Sequence, residues 1–177
     1  MNDSSRDLEI AGHSGIDPAD DAGEHRDFRG ALSQFATGVT IMTAISPAGD
    51  PFGITVTSFN SLSLEPPLIL WSLAQDGGSF ACFQTGTAFA VNVLSSGQEN
   101  LARQFARVGI SKFDGVETYQ GLERVPLIVG CAAYFECGVE SRYPGGDHDI
   151  VVGRVRRLFN VGGSPLLFHA GVLRPLD

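Results

Sequence analysis

The sequence predicts a mainly β protein, an antiparallel barrel that is closed or nearly closed, with a few short helices at its flanks. Two observations carry that expectation. Apolar, β-branched runs of about seven to eleven residues recur along the chain, separated by clusters of Gly, Pro, Ser and Asp. Helical periodicity, by contrast, appears in only three short stretches. No internal repeat interrupts the series, and 177 residues suit one domain large enough to bury a core.

Before the first periodic segment, residues 1–25 mix Asp, Ser, Gly and Ala without an apolar rhythm. Residues 1–27 hold eight acids against two Arg, so −6 of the net charge of −8 lies there. This predicts a disordered acidic tail, with the folded domain spanning 26–177. The tail has neither a basic start nor an apolar run, so it does not read as a signal peptide.

In "DFRGALSQFATG" (27–38), Phe28, Ala31, Leu32 and Phe35 share one helical face, and Asp27 is placed to cap it. "VTIMTAI" (39–45) is a strand closed by the "SPAGDP" turn. Residues 53–63 read as an extended strand. Thr55, Thr57, Phe59, Ser61 and Ser63 fall on one side, with Ile54, Val56, Ser58, Asn60 and Leu62 on the other. Pro67–Leu73 is a further strand, running into "QDGGSF", where Gly77 and Gly78 precede Ser79 as the N-cap of a short helix ending at Gly86. "AFAVNVL" (88–94) is a strand. "SGQENLARQFARVG" is the clearest helix. Ser96 and Glu99 make its capping box, Leu101, Phe105 and Val108 its stripe, and Gly109 its stop. Beyond the loop around Lys112 come strands Ala132–Glu140, Asp149–Phe159 and Leu166–Leu173, the first two joined by the "RYPGG" turn.

Composition excludes several classes of function. Charged residues make up 18%, below the roughly 25% of an average soluble domain, which favours extra buried surface such as a subunit contact. No segment approaches the ~18 apolar residues of a membrane span, and no basic stripe marks a nucleic-acid partner. Three cysteines, an odd number, point to a reducing compartment and a cytoplasmic location. Cys131 and Cys137 would share a strand face roughly 20 Å apart at ~3.3 Å per residue, so they read as core residues that neither bridge nor share a metal. There is no Gly-x-Gly-x-x-Gly, no phosphate loop and no Gly-x-Ser-x-Gly. His13 and His25 lie in or beside the tail, His148 and His169 are isolated, and no zinc-type spacing occurs. A triad hydrolase or a zinc enzyme is therefore not expected, and no metal site is.

The unusual stretch is "GITVTSFNSLSLEPPLILW" (53–71). It leads straight into an oily strand, yet Thr55, Thr57, Ser58, Asn60, Ser61 and Ser63 crowd its first half. Burying each of these without a partner would cost roughly 1–3 kcal/mol. Two readings follow. The hydroxyls are wet or bond local backbone on an edge strand, or they serve a flat ligand with polar edges. The "QDGGS" loop favours the second, because a glycine turn offers backbone N–H groups to an anion such as phosphate.

"FATGVTIMTA", "GITVTSFNSLSLEPPLIL", "FAVNVL" and "GGDHDIVVGRV" together resemble the flavin reductases of the FMN-binding split-barrel fold, over roughly residues 26–174. The resemblance implies a Greek-key split barrel and a homodimer. It implies reduction of FMN or FAD by NADH or NADPH, the reduced flavin passing by diffusion to a separate monooxygenase. Matched position by position, Thr55, Val56, Thr57, Ser58 and Phe59 hold the isoalloxazine ring and ribityl chain, and Thr37 and Gly38 approach them. Gln75, Gly77, Gly78 and Ser79 belong to the phosphate loop. Asn92 lies on the neighbouring strand, Lys112 and Phe113 match a recurrent Lys-Phe pair, and His148 is the catalytic candidate on the nicotinamide side. Two departures stand out: Thr57 replaces a common Asn, and Gln75, Asp76, Gly77 and Gly78 stand where relatives often have a basic residue and Ser.

Structural alternatives stand beside these assignments: core packing for Phe59, a surface charge for Lys112, backbone satisfaction for Asn92, a hairpin tip for His148 and a barrel rim for His169. At the level of function, the alternatives are a flavin-binding carrier or sensor without turnover, and a flavin-retaining oxidase of the same fold.

Overall fold

Alternating side chains force each apolar run to find partners on both flanks, and the result is one seven-stranded antiparallel sheet. A computed structural model of the chain describes residues 9–20, 25–78, 80–109 and 111–176. Its elements in order are β1 (Glu9–Ile10), β2 (His13–Ser14), α1 (Arg26–Leu32), β3 (Thr37–Gly38), β4 (Thr40–Ile45), β5 (Pro51–Val56) and β6 (Asn60–Ser63). There follow β7 (Leu68–Ala74), α2 (Phe80–Thr85), β8 (Ala88–Val93), α3 (Glu99–Ala106), β9 (Thr118–Gln120) and β10 (Pro126–Ile128). The chain closes with β11 (Ala133–Gly145), β12 (His148–Asn160), β13 (Leu166–His169) and β14 (Val172–Pro175). Among the described residues no helix is long and apolar enough to cross a membrane.

The large sheet runs β5-β4-β8-β11-β12-β7-β6. Its two edge strands, β5 and β6, are neighbours in sequence, linked by residues 57–59 alone. The sheet therefore curls until its edges meet at that link, but no ladder joins them and the barrel stays split there. A smaller sheet, β14-β13-β3, and the β9–β10 hairpin cover the outside.

Alternation along the strands sorts the core in two. Met42, Ile69, Trp71, Leu73, Phe89, Val91, Cys137 and Val151 fill one cluster. Ile41, Ala90, Leu94, Phe105, Leu127, Ile128, Tyr134 and Leu166 fill the other, beneath α3 and β10. Close packing fixes Gly153, where a Cβ would lie 2.5 Å from the Phe89 ring. Cys131 and Cys137 do not share a face as expected. Cys131 precedes β11 and packs in the second cluster, whereas Cys137 packs in the first. Both thiols are pushed up to about 12 by burial and are inert core residues.

Several expected boundaries move. The 53–63 segment is two strands, because the chain must turn from one sheet edge to the other. Residues 142–145 are not a turn but the end of β11; the reversal falls on Gly146 and Asp147, with Gly146 at φ +76°. Residues 166–173 split into β13 and β14 around Ala170 and Gly171, both at positive φ. Asp27 is not the cap of α1 but lies in its first turn, after His25 at φ 48°. The capping box before α3 pairs Ser95 with Gln98, not Ser96 with Glu99, because a 3-10 turn (Ser96–Gln98) precedes the helix. α3 buries Ala102 and Phe105, while Val108 lies past its end and is 89% exposed. In the N-terminal stretch, β1 and β2 pair as a small hairpin whose residues are all exposed.

Candidate functional site

The split in the sheet places the hydroxyl-rich segment where a ligand can reach it, but the structure first spends some of those hydroxyls on the backbone. Thr55 Oγ1 donates to the Ala102 carbonyl at 2.7 Å, tying β5 to α3. Ser58 Oγ accepts from the Ser72 N–H at 3.0 Å, tying the link to β7. Phe59 turns toward the barrel interior and packs on Phe135, ring centroids 5.6 Å apart, and Val56 joins the same core. For Thr55 and Ser58 the reading that the hydroxyls bond local backbone is the one the structure bears out.

A cavity of about 620 Å³ opens beside β5, and it gathers residues that are far apart in sequence. Thr55, Gly77, Gly78, Lys112 and Phe113 line it, together with Phe52, Ile54, Phe105 and Arg107. The Lys112 ammonium donates to the carbonyls of Gly53 (3.1 Å) and Phe105 (2.9 Å) and lies 5.7 Å from the Phe52 ring centre. Burial holds its pKa below the usual lysine value. Two of its three N–H groups are thus engaged, which leaves one for a ligand. Phe113 stands edge-on to Phe105 at 5.0 Å, and Gln104 fixes the loop from behind by donating to the carbonyls of Lys112 and Asp114. Gly53 admits the wall's closest approach: a Cβ there would meet the Phe105 ring at 2.7 Å.

A second cavity, about 490 Å³, lies around the other end of the link. Thr37 and Thr57 line it with Leu32, Phe35 and Phe168. Thr37 Oγ1 is buried there with no hydrogen-bond partner, a cost of about 1–3 kcal/mol that a ligand acceptor or donor removes. Gly38 sits beside it, paired to Leu167 of β13.

His148 begins β12 directly opposite Ala74, the last residue of β7, so it borders the Gln75–Gly78 loop. Its Nδ1 lies 2.7 Å from Asp147 Oδ1, with 42% of its side chain exposed, and that hydrogen bond holds the Asp147 carboxyl below its usual range. Gln75 is tied to the same hairpin. Its backbone N–H donates to the Asp147 carbonyl (3.0 Å) and its side chain to Asp149 Oδ1 (2.7 Å). Ser79 lies outside the described residues.

One assignment is corrected. Asn92 has no exposed surface, and its amide is used inside the protein. It donates to the Ile41 carbonyl (2.9 Å) and Thr43 Oγ1 (3.0 Å), and accepts from the Ile128 N–H (2.8 Å). It braces β4, β8 and β10 and lines neither of the two cavities. The residues that sequence reasoning missed are Phe52, Arg107 and Phe168. Each reads as ordinary strand or helix composition until the fold brings it to a wall.

A sequence model of the flavin reductase like domain matches residues 32–177. The chain is 45% identical over 146 residues to the FMN reductase (NADH) SmoA of Agrobacterium fabrum, covering 82% of this chain and 83% of that protein. It is 37% identical over 164 residues to the flavin-dependent monooxygenase reductase subunit HsaB of Rhodococcus jostii, covering 92% and 83%. Among solved structures, the NADH:FAD oxidoreductase SgcE6 of Streptomyces globisporus, in complex with NAD and FAD fragments, superposes with a TM-score of 0.84 at 35% identity, covering 93% of this chain and 98% of that one. With the split sheet, the two cavities at its seam and these similarities in hand, the chain belongs to the flavin reductase like domain family.

Proposed function

We infer that this chain is an NAD(P)H-dependent flavin reductase that delivers reduced FMN or FAD to a separate monooxygenase. One observation carries the reading. Thr55, Gly77, Gly78, Lys112 and Phe113, drawn from three distant parts of the sequence, line a single cavity beside the seam of the barrel. The names of the related proteins, an FMN reductase using NADH and reductase subunits of flavin-dependent monooxygenases, support it.

The residues fit a flavin nucleotide. Its ring edge is polar and its faces are apolar, and the unpartnered Thr37 hydroxyl, Thr57 and Phe168 offer both kinds of contact at one end. At the other end, Gly77 and Gly78 with the remaining Lys112 donor suit the phosphate. When bound, the flavin accepts hydride from the nicotinamide, chemistry that belongs to the two cofactors. The protein's share is positional and electrostatic. Thr55 and Ser58, locked to α3 and β7, hold the link rigid, so that Thr57 and Thr37 present their hydroxyls in place without reorganisation. Phe113, backed by Phe105, walls off water. His148, steadied by Asp147 at the mouth of the hairpin, contacts the nicotinamide side. No strong general base is needed, which agrees with a site made of hydroxyls, main chain and one half-buried ammonium.

The working unit in this reading is a homodimer. α1 buries none of its own residues, and Phe28, Leu32 and Phe35 are 46%, 57% and 73% exposed beside the Thr37 cavity. A second copy seated on that face covers it and closes the site. Purified chain mixed with NADH or NADPH and free FMN or FAD, followed at the nicotinamide absorbance, tests the function. Flavin binding without nicotinamide oxidation in any of the four combinations would make the protein a carrier instead.

A further inference from the structure

We propose that Arg107 is the phosphate-binding cation of the flavin site, replacing the basic residue that the Gln75–Gly78 loop lacks. The proposal rests on the reading that the 620 Å³ cavity takes a flavin nucleotide. The loop offers Gln75, Asp76, Gly77 and Gly78, so its one charge is negative. The protein as a whole carries −8, and an anionic ligand approaching it is repelled unless the cavity itself is positive. The charged residues on the cavity wall are Asp50, Lys112 and Arg107, two cations to one acid.

Lys112 is already committed to two backbone carbonyls. Arg107 is not committed. Arg103, Arg154, Arg156 and Arg157 each hold a glutamate, and Arg142 holds the Phe83 and Gly86 carbonyls. Among the described residues no hydrogen bond or ion pair engages the Arg107 guanidinium. Asp114, which shares a small adjoining cleft with it, accepts instead from the Ser111 hydroxyl at 2.7 Å. Arg107 is also the C-cap of α3 at φ −75°, ψ 154°, so its backbone leaves the helical path just as the chain begins to wall the cavity. Gly77 and Gly78 line the same cavity, and a Cβ at Gly78 would meet nothing within 4 Å, so there is room for phosphate oxygens at that wall. A planar guanidinium with five donors suits such a group better than a lysine with one donor left.

The test compares FMN with riboflavin, which lacks the phosphate, by quenching of flavin fluorescence on the full-length wild type, Arg107→Ala and Arg107→Lys. The expected result is tighter binding of FMN than riboflavin by the wild type. Arg107→Ala should weaken FMN about tenfold or more and leave riboflavin within about twofold. Arg107→Lys should fall between, and added salt should weaken FMN less in Arg107→Ala than in the wild type. The melting temperature should not move, since no bond inside the protein is lost. An unchanged ratio of FMN to riboflavin affinity in Arg107→Ala overturns the proposal while leaving the flavin site standing. An effect confined to the KM for NADH overturns it too, by giving Arg107 to the other nucleotide. A wild type that binds neither flavin overturns the underlying reading as well.

Discussion

Replacing Asn92 by Ala should cost stability and spare flavin binding, and the size of the cost follows from three hydrogen bonds. The amide donates to the Ile41 carbonyl and the Thr43 hydroxyl and accepts from the Ile128 N–H, all in a site with no exposure. The two donated bonds contribute about 1 kcal/mol each net, and the Ile128 N–H, left buried without an acceptor, adds about 1–3 kcal/mol, so the loss is about 3–5 kcal/mol. Native domains hold about 5–15 kcal/mol in total, so the variant should still fold. In a chain of this length each kcal/mol shifts the midpoint by about 2–4 °C, which gives a drop of about 6–20 °C. Thermal melting and urea unfolding measure the loss, and an FMN titration well below the midpoint measures the site. FMN affinity should stay within about twofold of wild type. A stability loss below about 1 kcal/mol together with tenfold weaker FMN would refute the reasoning and return Asn92 to the flavin.

Three further outcomes can be checked. Burial alone would raise the Glu136 carboxyl, but the Arg157 hydrogen bond, the Leu122 N–H and the Arg157 and Arg156 charges outweigh it and hold its pKa below 4.5. Its contribution is therefore complete above that value and lost as pH falls through the lowered one. Unfolding free energy of Glu136→Gln should be lower than wild type by about 1–3 kcal/mol at pH 7, and the gap should narrow as pH falls below 4.5. His148→Ala should raise the KM for NADH or slow the reduction by about 5- to 150-fold, with flavin affinity and melting temperature little changed. A lowered melting temperature with normal turnover would make His148 a hairpin residue only. Asp76→Ser should tighten FMN by up to about 1 kcal/mol through lost repulsion, with riboflavin responding much less; equal responses would place the phosphate elsewhere.

What the sequence made legible was whatever depends on local periodicity. The apolar runs at 39–45, 67–73 and 88–94 became β4, β7 and β8 within a residue or two, because alternating burial is written into them. The helix around Phe105 was legible for the same reason. What stayed hidden depends on distant partners. The break at residues 57–59 exists only because two sheet edges meet there, and nothing in "VTSFN" announces a turn. Asn92 looked equally suited to a ligand or to backbone until the fold set Ile128 against it. The apolar face expected over 27–38 is only partly helical: α1 carries Phe28, Ala31 and Leu32, none of them buried, and ends before Phe35. Of the residues the resemblance singled out, Thr55 lines one cavity and Thr37 and Thr57 another, whereas Val56 and Phe59 pack in the core and Asn92 is fully buried. Arg107 gave no signal, since a lone arginine after a helix is most often solvated.

The three-residue link between β5 and β6 also sets a mechanical limit. From Val56 to Asn60 the chain has four Cα steps, so at full extension it reaches at most about 14 Å. That leash caps how far the two free edges can part at this end of the seam, whatever binds. The shortness of one loop thus fixes the spacing of the two free edges at this end, independently of any ligand.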